Sequence, residues 1–355
     1  MGMFSEIIKE HRILKGLKLR ELARITNIDQ TLLSRFEHGD RLPTESQLME
    51  LMSALKMDFK STRIEWMASK VLKVVGYDEV SYEALQLAES RVEYLVKKRS
   101  HKQELPTELK EKLELLDALK AKWEARPPLG VSQLKRMQEY FDVDYTFESN
   151  RIEGNTLSLQ ETALVVNEGL TIGGKSMREH LEAINHQEAI VFIRELVANK
   201  EDISKRVVLD LHRLVLKEVD SANAGVYRSI PVRITGSDTQ LPQPFLIDQL
   251  MQDYFEFYMI QSSRMHPVIL AAEMHERLVS IHPFVDGNGR TARLVMNLIL
   301  LKYGYTRANI KGSTENRMAY YRALQSVQKD ANPMPFYHLV ADEAIRSIKA
   351  HLELI

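Results

Sequence analysis

Apolar positions in this chain recur mostly at spacings of three and four, and alternating runs are scarce, so the pattern predicts a mainly α-helical protein. Near the start, the sets Phe4, Ile7, Ile8, then Leu19, Leu22, Ala23, then Leu32, Leu33, Phe36, then Leu48, Leu51, Leu55 mark several short helices. Only Ile25-Thr26-Asn27-Ile28 separates the second from the third, and Asp29 is placed to cap the helix that follows. Gly39 is placed to end that helix in the left-handed conformation, with Pro43 just beyond. Two short helices across a tight turn, inside a cluster of five, is a helix-turn-helix arrangement.

The middle of the chain is long, helical and highly charged. Leu109, Leu113, Leu116 and Leu119 share one face between Thr107 and Ala125, which suits a spacer or a dimer-forming hairpin. Pro127-Pro128 and Gly130 then break any helix. The expected division is a helix-turn-helix domain at 1–58, a helical linker at 59–126 and a third domain at 127–355, with no internal repeat. A length of 355 residues suits two to three domains with full cores.

The 48 Lys and Arg against 49 Asp and Glu give a formal net charge of -1, which excludes a basic nucleic-acid coat and an acidic solvating tail. Any anion site must be local, because residues 1–58 carry 9 basic and 9 acidic groups and residues 127–355 carry 25 and 28. Absence of cysteine excludes thiol nucleophiles, Cys-bound zinc, iron–sulfur clusters and disulfides, and suits a reducing compartment. The longest nearly apolar run, Leu294 to Leu301, is broken by Asn297 and falls far short of the ~20 residues that span a bilayer. There is no signal-peptide core near the start, and Glu6 stands where myristoylation of Gly2 needs Ser or Thr. A cytoplasmic protein is expected.

Toward the end the chain reads H-P-F-V-D-G-N-G-R-T-A-R from His282 to Arg293, directly before an apolar helix. Gly287 and Gly289 permit close backbone approach and open onto a helix N-terminus, whose free N–H groups and positive dipole end bind anions. Arg290 and Arg293 share one face of the first turn and can both hold phosphate oxygens. The pattern G-x-x-x-x-G-K-(S/T) is absent, so this polyphosphate cradle is not a P-loop. Asp286 is a natural ligand for a Mg²⁺ that bridges phosphates. His282, uncharged near pH 7 at its ordinary pKa, can take a proton from an attacking hydroxyl.

The stretch matches every fixed position of H-x-F-x-(D/E)-G-N-G-R-x-x-R and so resembles the signature of the Fic family. The likeness extends over roughly residues 128 to 345. It implies a helical domain that transfers AMP from ATP to a Ser, Thr or Tyr hydroxyl of a target protein, possession of Mg²⁺ as cofactor, and release of pyrophosphate. By that likeness His282 is the general base and Asp286 the Mg²⁺ ligand. Gly287 to Gly289 are phosphate-binding backbone, Asn288 is a phosphate contact, and Arg290 and Arg293 clamp the β- and γ-phosphates. Gly225-Val226-Tyr227-Arg228, followed by Val232-Arg233-Ile234 and Pro242, resembles the family's flap, a β-hairpin at about 225–242 that pairs with the target segment by strand addition. Tyr321 and Leu324, with Gln328 one turn later, resemble the adenosine-contacting helix.

Ser149-Asn150-Arg151-Ile152-Glu153-Gly154 matches (S/T)-x-x-x-E-(G/N), the family's inhibitory helix, at about 145–155. Ser149, Glu153 and Gly154 carry that match. A glutamate brought to Arg293 would occupy the place where the arginine should hold the γ-phosphate. In members with an internal inhibitory helix the same carboxylate can orient water against an AMP-modified side chain, so a de-AMPylase in the same site is an alternative. His275-Glu276 does not open a zinc signature, because Val279 replaces the second histidine.

Residues 4 to 56, around Leu19-Arg20-Glu21-Leu22-Ala23 and Ser34-Arg35-Phe36-Glu37-His38-Gly39, resemble the lambda-repressor-like (XRE-type) helix-turn-helix family. The positions that face DNA there fall on Gln30, Thr31, Ser34 and Arg35, glutamine reading adenine and arginine guanine. That resemblance implies operator DNA as a partner and a homodimer. It leaves a further alternative, a transcriptional regulator whose Fic domain senses nucleotide. The leading expectation is an autoinhibited, self-modifying protein adenylyltransferase with a DNA-binding regulatory module.

Overall fold

Asp29 behaves as its place before the third helix predicts, its carboxylate accepting from the N–H groups of Thr31 at 2.9 Å and Leu32 at 3.2 Å. The computed structural model in which this is seen describes residues 3–76, 79–86, 88–89, 104–234 and 239–354. It divides into two units, Met1–Val96 and Lys97–Ile355.

The first unit holds α1 (Met3–Leu14), α2 (Leu19–Thr26), α3 (Gln30–Glu37), α4 (Glu45–Leu55) and α5 (Phe59–Val75). Asn27 takes a left-handed turn (φ 55°) between α2 and α3, and Gly39 (φ 77°) follows α3 as expected. Phe4, Ile8, Leu22, Leu33, Phe36, Leu48, Leu51 and Leu55 form one core. Arg12 crosses from α1 to hold Glu37 of α3 by a bidentate pair at 2.6 and 2.8 Å. Trp66, 4% exposed, joins the same core and its indole N–H donates to the Pro43 carbonyl at 2.9 Å. The expected boundary after residue 58 therefore falls inside this unit, because α5 supplies its largest apolar side chain.

The second unit opens with α6 (Thr107–Glu124), which buries Leu109, Leu113, Leu116 and Leu119. Its partner is α15 (Met334–Glu353), to which Lys112 adds an ion pair with Asp342 at 2.8 Å. The stripe expected to serve a spacer or dimer hairpin is thus spent inside this unit. Then come α7 (Val131–Ile152), α8 (Leu159–Glu168), α9 (Met177–Ala198), α10 (Lys205–Leu216), α11 (Ile247–Gln261), α12 (Pro267–Ile281), α13 (Asn288–Lys302) and α14 (Thr314–Asp330). Helices α12 and α13 pack closely together as the core of the unit. Helix α13 is apolar on nearly every side from Leu294 onward and is buried on nearly every side. Its one polar interruption, Asn297, returns its amide to the chain, donating to the Ala308 carbonyl at 3.1 Å and accepting from the Ala308 N–H at 2.8 Å.

Among the described residues there is no strand, so the expected flap hairpin is corrected to a loop. Val232, Arg233 and Ile234 lie in irregular chain, and residues 235–238 fall outside the described part. Backbone rungs between its legs are replaced by a single side chain, Arg228, which donates to Ile230 on one leg and Pro242 on the other. Among the described residues no helix is long and apolar enough to cross a membrane.

Candidate active site

Helix α12 ends at His282, which takes a left-handed backbone (φ 51°) and turns the chain into the glycine loop. Its Nδ1 lies 3.2 Å from the Val279 carbonyl, which can only accept, so Nδ1 carries the proton and Nε2 keeps its lone pair. Burial pushes the imidazole pKa down; the Val279 carbonyl opposes this, Arg228 assists it, and Glu153 and Asp286 oppose it more weakly. The ring is neutral at pH 7 and fit to accept a proton.

Gly287 has φ 75° and lies so close to α10 that a Cβ there would sit 3.3 Å from Val215. The loop around it is held from two sides. Asn288 accepts from the Phe284 N–H at 3.0 Å and donates to the Phe284 carbonyl at 2.9 Å. Its buried side-chain amide therefore closes the loop on itself. His212 of α10 stacks on Phe284 (3.6 Å between centroids, 8° between planes). Its Nδ1 accepts from the Gly225 N–H at 2.9 Å and its Nε2 donates to the Asp286 carbonyl at 3.0 Å, while burial drives its pKa to about 4.

The two arginines of the motif face different partners. Arg290 lies against Glu182 at 3.3 Å and Asp286 at 3.5 Å. Asp286 is also held by Arg178 of α9 at 2.8 Å and by the Gly287 N–H at 2.6 Å. Burial would raise the Asp286 pKa, but Arg290, that N–H and Arg178 together hold it below the ordinary carboxylate value. Arg293 reaches the end of α7, donating from Nε to Ser149 Oγ at 3.0 Å and from Nη2 to the Ser149 carbonyl at 2.9 Å.

Glu153, the residue just after α7, completes that group with a 2.7 Å pair to Arg293 Nη2. Burial works most strongly against the Arg293 charge, yet Glu153, Tyr320 and Tyr145 together hold the guanidinium above its ordinary pKa. A Cβ added at Gly289 would lie 2.5 Å from Glu153 Oε1 and 3.1 Å from Arg293 Nη1. The carboxylate thus lies over the first turn of α13, in the position where free N–H groups and the dipole favour an anion. Gly154 (φ 98°) turns the chain away after it. The segment expected to be inhibitory forms the last turns of a 22-residue helix. That helix is fastened by carboxylates to the irregular segment 307–312. Arg307 pairs with Asp142 at 2.6 Å, Lys311 with Asp144 at 2.9 Å, and the Gly312 N–H donates to Glu148 at 2.7 Å.

Tyr321, 37% exposed, donates to the Ile152 carbonyl at the end of α7, whereas Leu324 is buried. Gln328 accepts from Thr239 beyond the loop and donates to Ser280, both at 3.2 Å. His275 is fully buried against the Tyr320 hydroxyl at 3.1 Å. In the first unit Gln30, Thr31 and Arg35 are exposed along α3, and Ser34 is half-buried. Sequence reasoning missed Arg178, Glu182 and His212. The only signal for them was a charged or imidazole residue on an otherwise apolar helix face, which many structural residues share.

Residues 202–300 match the Fic/DOC family and residues 8–60 match a helix-turn-helix family. A protein adenylyltransferase Fic of Culex quinquefasciatus is 30% identical over 97% of this chain and 66% of its own length. The corresponding Drosophila melanogaster protein is 32% identical over 81% of this chain and 58% of its own. The chain therefore spans between about half and two thirds of the length of these curated relatives. Among solved structures, Fic-1 (aa134–508) from C. elegans is 27% identical, covers 98% of both chains and superposes with a TM-score of 0.62. A Fic-domain-containing signaling protein of Bacteroides thetaiotaomicron is 29% identical, with a TM-score of 0.62 over 68% of this chain and 96% of that one. With the motif loop, the buried arginine and the α12–α13 core all inside the matched region or in contact with it, this chain belongs to the Fic/DOC family through its second unit and carries a helix-turn-helix domain in its first.

Proposed function

We propose that the chain is an autoinhibited protein adenylyltransferase, transferring AMP from ATP to a hydroxyl of a protein, itself among the targets. The observation that carries this reading is the 2.7 Å pair between Glu153 and Arg293 over the glycine loop. It is a carboxylate held where a phosphate would be. In the reaction, His282 Nε2 takes the proton of the target hydroxyl and the oxygen attacks the α-phosphorus of ATP. The bond from the α-phosphorus to the bridging oxygen breaks, and pyrophosphate leaves with the electron pair. Arg290, Arg293 and the first N–H groups of α13 stabilise the negative charge on the phosphates. With Glu153 paired to Arg293, that arginine is not free for the γ-phosphate, and ATP is held out of line.

The residues present fit a Mg²⁺, which is commonly held by one or two carboxylates plus the phosphates of a nucleotide. Asp286, half-exposed and kept ionised by its neighbours, would hold it. When bound, the ion supplies charge neutralisation between phosphates.

The test is incubation of Glu153→Gly protein with ATP and Mg²⁺, followed by intact-mass measurement. One AMP unit or more is expected on the Glu153→Gly chain, less on the parent and none on Glu153→Gly/His282→Ala. Equal labelling of all three would refute the reading. A second reading is favoured by Glu153 itself, whose side chain is 34% exposed and therefore able to meet water. Such a carboxylate can orient water for the reverse cleavage, which release of AMP from an AMP-modified protein by the wild-type chain would reveal. For the first unit, the exposed Gln30, Thr31 and Arg35 support DNA reading.

A further inference from the structure

We propose that Arg228 is the positioning residue that sets the distance between the target-binding loop and the catalytic histidine; this rests on the adenylyl-transfer reading of residues 282–293. Arg228 is 4% exposed. Its guanidinium forks to three backbone carbonyls from three places in the chain. Nε donates to His282 at 2.8 Å, Nη1 to Ile230 at 3.1 Å and Nη2 to Pro242 at 2.6 Å. Its own backbone N–H donates to the Pro283 carbonyl at 2.9 Å. One residue therefore ties both legs of the loop that carries Val232, Arg233 and Ile234 to the peptide that follows the catalytic imidazole.

The arrangement is costly in a way that calls for a reason. A buried charge is ordinarily paired with a carboxylate. Among the described residues no carboxylate pairs with Arg228, and burial alone pulls its pKa below the ordinary value. An apolar side chain would fill the same space without that cost. What only an arginine supplies is a rigid planar fork with donors at fixed angles, able to hold three carbonyls in one plane. The loop has no paired strands among the described residues to keep its legs together, so the fork does the work of the missing rungs.

Distance is what the reaction needs at this place. A hydroxyl presented by a segment lying along the loop must come within about 2.6–3.2 Å of His282 Nε2. Misplacement by about 1 Å costs roughly a hundredfold in rate. Nucleotide binding has other anchors, namely Arg290, Arg293 and the α13 N-terminus, none of which touches Arg228.

The test uses the full chain carrying Glu153→Gly, with Arg228→Lys and Arg228→Met added separately, and reads AMP incorporation into the chain itself, ATP affinity and thermal melting. Both variants are expected to lose roughly a hundredfold in incorporation, while ATP affinity stays within about twofold. In addition, the acid limb of the pH profile should move up in Arg228→Met, where the charge near His282 is lost, and stay in place in Arg228→Lys. The groups facing that ring are Arg228, Asp286 and the Val279 carbonyl once Glu153 is removed. Full incorporation in Arg228→Lys would overturn the proposal, since charge alone would then suffice. So would a parallel loss of ATP binding or of cooperative melting in Arg228→Lys, which would reduce the residue to a fold requirement. If Glu153→Gly with Arg228 intact incorporates no AMP, it is the adenylyl-transfer reading that fails first.

Discussion

Replacing Glu153 by Gln tests the brake with the least change of shape. The carboxylate gives Arg293 a 2.7 Å bond on a guanidinium that is 1% exposed, while the glutamate side chain is 34% exposed. A hydrogen bond to a charged group contributes about 1.5–3 kcal/mol. Partial exposure of the glutamate lets water screen it and places this pair in the lower half of that range. The loss is then roughly ten- to fortyfold in the preference of Arg293 for the glutamate over a phosphate. Calorimetric titration in a His282→Ala background, where no chemistry intervenes, should show ATP binding tighter by that factor in Glu153→Gln/His282→Ala. AMP lacks the phosphates that Arg293 would hold, so its affinity should not change. Without nucleotide the Gln variant should melt several degrees lower, at roughly 2–4 °C per kcal/mol for a unit of this size, because a neutral amide holds the buried Arg293 charge more weakly than the carboxylate does. Unchanged ATP affinity together with an unchanged melting temperature would refute the assignment of Glu153 as the occupant of the phosphate position.

Three further outcomes are expected. Because burial lowers the His282 pKa and a base works only when unprotonated, the acid limb of AMP transfer by Glu153→Gly should lie below the ordinary histidine value of 6.5; a limb at or above that value in a rate–pH profile would contradict the buried, neutral ring. Asn288→Ala removes both partners of Phe284 and should cost about 2–4 kcal/mol, measured by denaturant unfolding, together with the transfer activity of the Glu153→Gly parent. Trp66→Ala should destabilise the first unit by about 3–5 kcal/mol, seen as thermal proteolysis inside residues 3–76 at lower temperature; a variant as resistant as the parent would return α5 to the role of a linker.

The helical class and the chemistry of 282–293 were legible because both are written in contiguous sequence. A cap such as Asp29, a stop such as Gly39 and a glycine loop opening onto a helix need only neighbours to be recognised. Ser149 and Glu153 were legible through family likeness, since nothing in their spacing says that they meet Arg293 about 140 residues away. The stripe of α6 was visible but its partner was not, because Leu109 to Leu119 look the same whether they face α15 or a second chain. Trp66 was lost for a similar reason, lying beyond a boundary drawn from charge. The role of Arg228 was invisible in principle, as its partners are three carbonyls and every residue has one. The two hydrogen bonds of the Asn288 amide to Phe284 were not legible, because an amide beside a glycine loop looks the same until its partners are seen.

Helix α7 has a consequence as a measuring rod. Its carboxylates at 142, 144 and 148 are fixed to segment 307–312, and the glutamate that lies over the first turn of α13 follows its last residue. Each residue of such a helix advances about 1.5 Å and turns about 100°. One residue inserted between Glu148 and Glu153 would leave every side chain of the site unchanged and still carry the glutamate round to another face. The placement of that glutamate is thus encoded by a count as well as by an identity, and a change of length alone would undo it.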